Sequence, residues 1–418
     1  MMSLKTRVFR KSVYEGRGAA RALLAAMWIG VAIVGAVPPA YAQSGAQSGD
    51  ATILDARDAL RRKDRNRLAT DRAVAIAMNH PLAMWADYWE LGNRIGEVQQ
   101  AEVDQFAARW RGTYVEDRFR NDWLLELGKR RDWANFAAEF PRFRMNDDRE
   151  VTCYTLLVDQ AAAKDVRDAA LAAWLAQKDA DDGCALLAAT LYDAKQINSA
   201  DVWRKARFAI DAGRPRAARQ AGVLISVAAG TAVNELTDSP ARYLARNASA
   251  ANRNAAELTT LALMRMANSD PDAAAGLLRD RWDRALPADL AAWAWASVAK
   301  QAAMKLQPDA SDFFLSAAQR AAKAKGEREL DWPDDTLAWK ARAALRADDG
   351  KPRWQQVMQA INAMGEAEQR DATWVYWKAR ALQGLAADSQ DAESMRAMSR
   401  ELMSGISGQL NFYGALAA

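Results

Sequence analysis

Proline punctuates this chain at helix-length intervals. Pro271, Pro287, Pro308, Pro333 and Pro352 lie 16 to 25 residues apart, and each precedes an amphipathic run. Proline is tolerated at the first turn of a helix, where its missing N–H has no partner to lose. Pro81, Pro215 and Pro240 read the same way, with Ser239 and Asp331 as candidate caps. Between the prolines, apolar residues recur at three- and four-residue spacing. Val115, Phe119, Trp123, Leu124 and Leu127 fall on one helical face, and Trp374, Trp377, Ala381, Leu382 and Leu385 on another. No sustained period-two run or Asn-Gly hairpin competes with that pattern. One start per about 20 residues gives short helices with short connections, hence antiparallel neighbours. None can bury its apolar face alone, so the expected fold is all-α, a superhelical solenoid of short antiparallel helix pairs. The repeat is degenerate, because Trp89-Glu90-Leu91-Gly92 and Trp123 to Gly128 both miss the tetratricopeptide spacing.

Residues 1–42 read as a signal peptide and are set aside from the fold. Lys5, Arg7, Arg10, Lys11, Arg17 and Arg21 form a basic start, and Ala22 to Val37 an apolar run. Pro38-Pro39 breaks it, and Ala40-Tyr41-Ala42 offers a cleavage signal between Ala42 and Gln43. An uncleaved anchor is the alternative, but the run falls short of the roughly 20 residues that span a bilayer. Export to the periplasm, with no membrane span after cleavage, is the expectation. The chain carries a formal charge of +4. The leader holds six basic residues and one acid, so the remaining 376 residues are close to neutral. The basic balance therefore gives no support for a nucleic-acid partner.

Cys153 and Cys184 are the two cysteines. In an exported chain a disulfide is the default, with two separate buried thiols as the alternative. The bond would close a 31-residue loop, worth roughly 3.5–4 kcal/mol in the chain-entropy model. Two cysteines and one histidine cannot build a zinc site of the usual kind, and neither metal nor cofactor is expected. The histidine, His80 in Asn79-His80-Pro81, reads as a turn or capping residue. Asp147-Asp148, Asp181-Asp182, Asp334-Asp335 and Asp348-Asp349 read as loop charges and helix N-terminal residues. No Walker loop, Gly-x-Gly-x-x-Gly or His-Glu-x-x-His occurs. Sixteen tryptophans remain to be placed. They fill layers between helices or form a saccharide-stacking surface, and helical spacing favours the core.

Several stretches together resemble the soluble lytic murein transglycosylases of Gram-negative bacteria. They are His80-Pro81-Leu82 with Asp87-Tyr88-Trp89-Glu90-Leu91, then Asp122-Trp123-Leu124 with Leu127-Gly128 and Asp132-Trp133. Val151-Thr152-Cys153-Tyr154, Asp201-Val202-Trp203, Trp374-Val375-Tyr376-Trp377-Lys378-Ala379-Arg380-Ala381 and Asn411-Phe412-Tyr413-Gly414 follow in order. The resemblance implies a periplasmic, U-shaped α-superhelix followed by a small linker domain and a lysozyme-like catalytic domain. That domain cleaves the β-1,4 bond between N-acetylmuramic acid and N-acetylglucosamine, with one glutamate as acid then base and a 1,6-anhydro product. The family's catalytic glutamate stands in a Glu-Ser pair downstream of the Phe-Tyr-Gly element. Here Glu393-Ser394 precedes Phe412 and lacks the following Gly-Leu-Met-Gln, so Glu393 reads as a solvated helix residue. No catalytic residue is carried over.

The domains expected are a signal peptide over 1–42, an α-superhelix over 43–408 and the start of a truncated linker domain over 409–418. Leu410 to Ala418 begins an amphipathic helix with no stop signal, expected to be frayed or held only by the array before it. The chain is expected to be non-catalytic, holding peptidoglycan glycan strands or a cell-wall protein for a catalytic domain. The alternative is a periplasmic scaffold that binds proteins through its concave face.

Overall fold

The computed structural model describes residues 41–177, 179–324 and 332–418. The apolar part of the leader and Asp331 lie outside them. Tyr41, Ala42 and Gln43 open a helix, Tyr41–Arg62. Helices make up the secondary structure, and no strand occurs among the described residues. Among the described residues, those from 41 to Ala86 form one compact unit and those from Asp87 to Ala418 a second.

In the first unit, Tyr41–Arg62 packs on Arg65–Ala77. His80 sits at the turn that follows. Its Nδ1 accepts the Leu82 N–H at 3.1 Å and its Nε2 lies 2.9 Å from Asp50 Oδ1. That is a turn-stabilising role.

In the second unit each helix packs mainly on the next or next-but-one helix, as in a solenoid. Ala288–Met304 and Ala310–Lys323 form the most extensive pair, across a five-residue connection. The prolines act as expected. Pro215, Pro240 and Pro271 occupy the first helical position, and Pro287 and Pro333 stand one residue ahead of it. Asp148, Asp181 and Asp270 cap helices by accepting backbone N–H groups. Ser239 occupies a cap position but its hydroxyl accepts from Arg242 at 2.6 Å, and no backbone N–H reaches it.

Of the apolar faces read from sequence, Val115, Phe119, Trp123, Leu124 and Leu127 are all buried. In the other, Trp374, Ala381 and Leu382 are buried, and Trp377 and Leu385 are half-buried. No tryptophan is fully exposed among the described residues, so indoles do fill the layers. Cys153 and Cys184, both fully buried, form a disulfide between Arg149–Ala161 and Asp182–Asp193. Beside it, Gly128 permits a close approach. A Cβ there would lie 2.3 Å from the Tyr154 ring, so only glycine lets that ring rest on the neighbouring helix. The Tyr154 hydroxyl donates to Asp182 Oδ2 at 2.7 Å, and burial pushes its pKa up. Arg131 pairs with the same carboxylate and holds its pKa below the usual range.

Lys205 is buried, and its ammonium donates to the Trp174 and Gln177 carbonyls, the latter at 2.7 Å. It thereby closes the C-terminus of Arg167–Ala176. Burial lowers its pKa to about 8, with Asp181 opposing and Arg149 adding to the shift. Between pH 8 and about 10.4 the unfolded chain holds a proton that the folded chain has lost, so stability from this group rises with pH. Wild type should gain on Lys205→Met by on the order of 1 kcal/mol per pH unit across that window. Urea melts from pH 7 to 10 test it, and a pH-independent gap between the two proteins would refute it.

The last helix, Phe412–Ala417, is capped by Asn411, whose Oδ1 accepts the Gly414 N–H at 2.8 Å. It packs on Ala372–Leu385 and Ala392–Ile406. Tyr413 and Ala417 lie against a small core of Ala372, Tyr376 and Ile406. Of the two states expected for it, the structure shows the one held by the preceding array.

Candidate functional site

Four segments of the second unit converge on an open cleft of about 770 Å³, within the range of small-molecule and oligomer sites. The first segment is the turn after Ala288–Met304. Leu306 ends that helix at φ +59°, with its N–H bonded to the Ala303 carbonyl at 3.0 Å and the Gln307 N–H to Ala302 at 2.9 Å. Glycine usually fills this left-handed position. A leucine there costs about 1–2 kcal/mol and leaves its side chain 59 % exposed at the rim. The turn then runs through Pro308 and Asp309 into the first residues of Ala310–Lys323.

The second segment is Asp334–Leu345, whose Trp339 and Arg342 face the cleft, followed by Arg346. Arg342 and Trp339 lie three positions apart and share a face. The third is Ala372–Leu385, which contributes Trp374 and Trp377. The fourth is Phe412–Ala417, which contributes Tyr413. The Trp377 Nε1–H points to the Tyr413 hydroxyl at 3.4 Å, and the Tyr413 ring lies 5.5 Å from that of Tyr376. Trp374 is buried, whereas Trp339, Trp377 and Tyr413 are half-buried, each with part of its surface left to the cleft.

Charges surround this aromatic floor. Asp312 accepts from Arg353 at 2.6 Å. Asp309 is exposed on the same turn. The Arg342 guanidinium lies 4.9 Å from the Trp339 ring centroid and 5.2 Å from that of Trp374. A pyranose ring presents a face of C–H groups that stacks on an indole and a rim of hydroxyls that bond to carboxylates and guanidinium groups. Half-exposed aromatic rings with an apolar face and a polar edge suit such a ligand. The arrangement can bind and orient a saccharide.

The other residues singled out from sequence fall outside this cleft. Glu393 is exposed on the first turn of Ala392–Ile406. Asp147-Asp148 and Asp181-Asp182 gather near Glu150, whose Oε1 accepts the Asp182 and Gly183 N–H groups at 3.1 and 3.0 Å. Burial raises the pKa values of Glu150 and Asp181. These carboxylates cap a helix start next to the disulfide. Among the described residues no group of three or more His, Cys, Asp or Glu could hold a metal ion. No described helix is long and apolar enough to cross a membrane.

Sequence had singled out Trp374 and Trp377 as members of an apolar helical face and, with Tyr413, as family motifs, but did not name Trp339, Arg342 or Arg346. The signal for them was the i, i+3 spacing of Trp339 and Arg342 opposite a second tryptophan helix.

No family model matches the chain, and no curated protein matches it. Solved structures do. The chain is similar to an inactive mutant of lytic transglycosylase Slt from Pseudomonas aeruginosa, at 22% identity over 88% of this chain and 57% of that one, with a TM-score of 0.48. It is similar to the 70-kDa soluble lytic transglycosylase of Escherichia coli at 15% identity, over 89% of this chain and 57% of that one, with a TM-score of 0.43. The complex of the 70-kDa enzyme with bulgecin A gives 15% identity, the same coverages and a TM-score of 0.42. The chain thus spans 57% of the length of each of these proteins.

Proposed function

We propose that this chain serves as the superhelical, N-terminal part of a periplasmic peptidoglycan lytic transglycosylase, exported by residues 1–42, and that it holds a glycan strand without cleaving it. The aromatic cleft carries this reading, because Trp339, Trp377 and Tyr413 present stackable faces beside Asp309 and Arg342. The ordered motif set from His80 to Gly414 supports the family and therefore the glycan. Bond cleavage at MurNAc–GlcNAc links, with its 1,6-anhydro product, belongs in this reading to a separate catalytic domain.

The purified chain should sediment with insoluble peptidoglycan and be released by free glycan strands. Trp339→Ala with Trp377→Ala should weaken retention about tenfold or more, as loss of two aromatic anchors does elsewhere. Far-UV circular dichroism checks that the array persists. Retention that ignores both the competitor and the double substitution would remove the cleft from the reading. Release of anhydromuropeptides by the chain alone would overturn its non-catalytic role.

A further inference from the structure

Arg342 and Arg346 stand about one helical turn apart on the wall of the cleft. Among the described residues neither has a carboxylate partner, although 15 other arginines in the second unit alone do. Arg342 is also fixed in place by rings on two different helices. A guanidinium stacked this way keeps its N–H edge free in the plane of the fork, where it can meet a carboxylate bidentately. Because the rings already restrict its rotamers, little entropy remains to be lost on binding. Asp309 and Asp312 sit on a different wall, and Asp312 is neutralised by Arg353. The cleft is therefore polarised, with paired cations on one side, acceptors on the other and aromatic faces between.

We propose that Arg342 and Arg346 form an anion subsite that selects saccharides bearing a carboxylate over neutral ones. This rests on the glycan-holding role proposed above and narrows its ligand. The carboxylate has two sources in peptidoglycan, the lactyl group of a muramoyl residue and the ends of its stem peptide. The other acidic side chains that face the pair are Asp309 and Asp312 on the neighbouring turn, and no histidine does.

Tryptophan-fluorescence titrations separate the possibilities with three probes: a neutral N-acetylglucosamine tetrasaccharide, peptide-free glycan with open lactyl carboxylates, and glycan that keeps its stem peptides. A carboxylate-bearing probe should bind at least tenfold more tightly than the neutral one, and added salt should shrink that margin. Preference for the peptide-free glycan assigns the lactyl group, and preference for the stem-bearing glycan assigns the peptide. Arg342→Gln with Arg346→Gln should erase the preference, bringing the carboxylate-bearing probes to the affinity of the neutral one. Arg346→Gln alone, at an exposed side chain, provides a variant with no packing to lose. Equal affinity for all three probes, or a preference that survives both glutamines, overturns the subsite and leaves the glycan-holding role standing. Failure of every probe to bind overturns both.

Discussion

Lys300→Met should destabilise the protein by about 3–5 kcal/mol, the cost of stripping one partner from a buried ion pair. Lys300 lies on Ala288–Met304, and its side chain is 4 % exposed. Its ammonium meets Asp211 Oδ2 and Asp335 Oδ2, each at 2.7 Å. Asp211 is as deeply buried as the lysine, and Thr336 donates to the same oxygen at 3.1 Å. Without the lysine, a buried carboxylate would keep a single hydroxyl. Burial works against the ammonium charge, but the two carboxylates outweigh it and hold the pKa of Lys300 above its ordinary value. A raised folded-state pKa means the contribution is complete below about pH 10.4 and is lost as pH rises through the folded value. The cluster joins positions 89 and 125 residues apart. It ties Ser199–Asp211 to Ala288–Met304 and Asp334–Leu345, so it couples parts of an array that otherwise packs by neighbours. Replacing Asp211 as well, in Lys300→Met with Asp211→Leu, should recover most of the loss, because two apolar groups leave no unpaired charge. Guanidinium melts at pH 7 decide the matter. A single variant within 1 kcal/mol of wild type, or a double variant no better than the single, would contradict this account.

The parts of this fold that sequence disclosed are those with local causes. Pro215, Pro240 and Pro271 mark helix starts because their ring geometry acts within one turn. The face from Val115 to Leu127 is legible because burial follows the helical period. Ser239 misleads because its hydroxyl has a competing local partner in Arg242. Asp335 is only half legible. It reads as a loop charge or helix N-terminal residue and does lie in the first turn of Asp334–Leu345, yet it also binds Lys300 from 35 positions away, and no periodicity encodes that distance. The cleft follows the same rule. Its tryptophans are visible one helix at a time, but their convergence depends on how Asp334–Leu345, Ala372–Leu385 and Phe412–Ala417 stack. The turn at Leu306 gives no signal at all, because the left-handed position carries a leucine where glycine would announce it.

Cys153→Ala with Cys184→Ala should lower stability by roughly 3.5–4 kcal/mol, the loop-closure value for the 31-residue separation. The effect falls mainly on the unfolded chain. In the folded chain the same two helices remain joined without the bond. Tyr154 donates to Asp182 at 2.7 Å, and Glu150 accepts two backbone N–H groups from the start of Asp182–Asp193. The variant should therefore keep its circular dichroism spectrum, and its denaturant dependence should steepen as a freer unfolded chain exposes more surface. A helical array distributes stability locally, so the loss should be uneven. Amide exchange should quicken across Arg149–Ala161 and Asp182–Asp193 and change little across Asp334–Leu345. The cleft lies between residues 303 and 413, well beyond the disulfide along the array. Glycan retention should consequently survive the loss of the bond, whereas Trp339→Ala with Trp377→Ala should abolish most retention with little change near Cys153. A variant that lost retention together with the disulfide would mean that the array transmits strain along its length, and the separation of frame from cleft would fail.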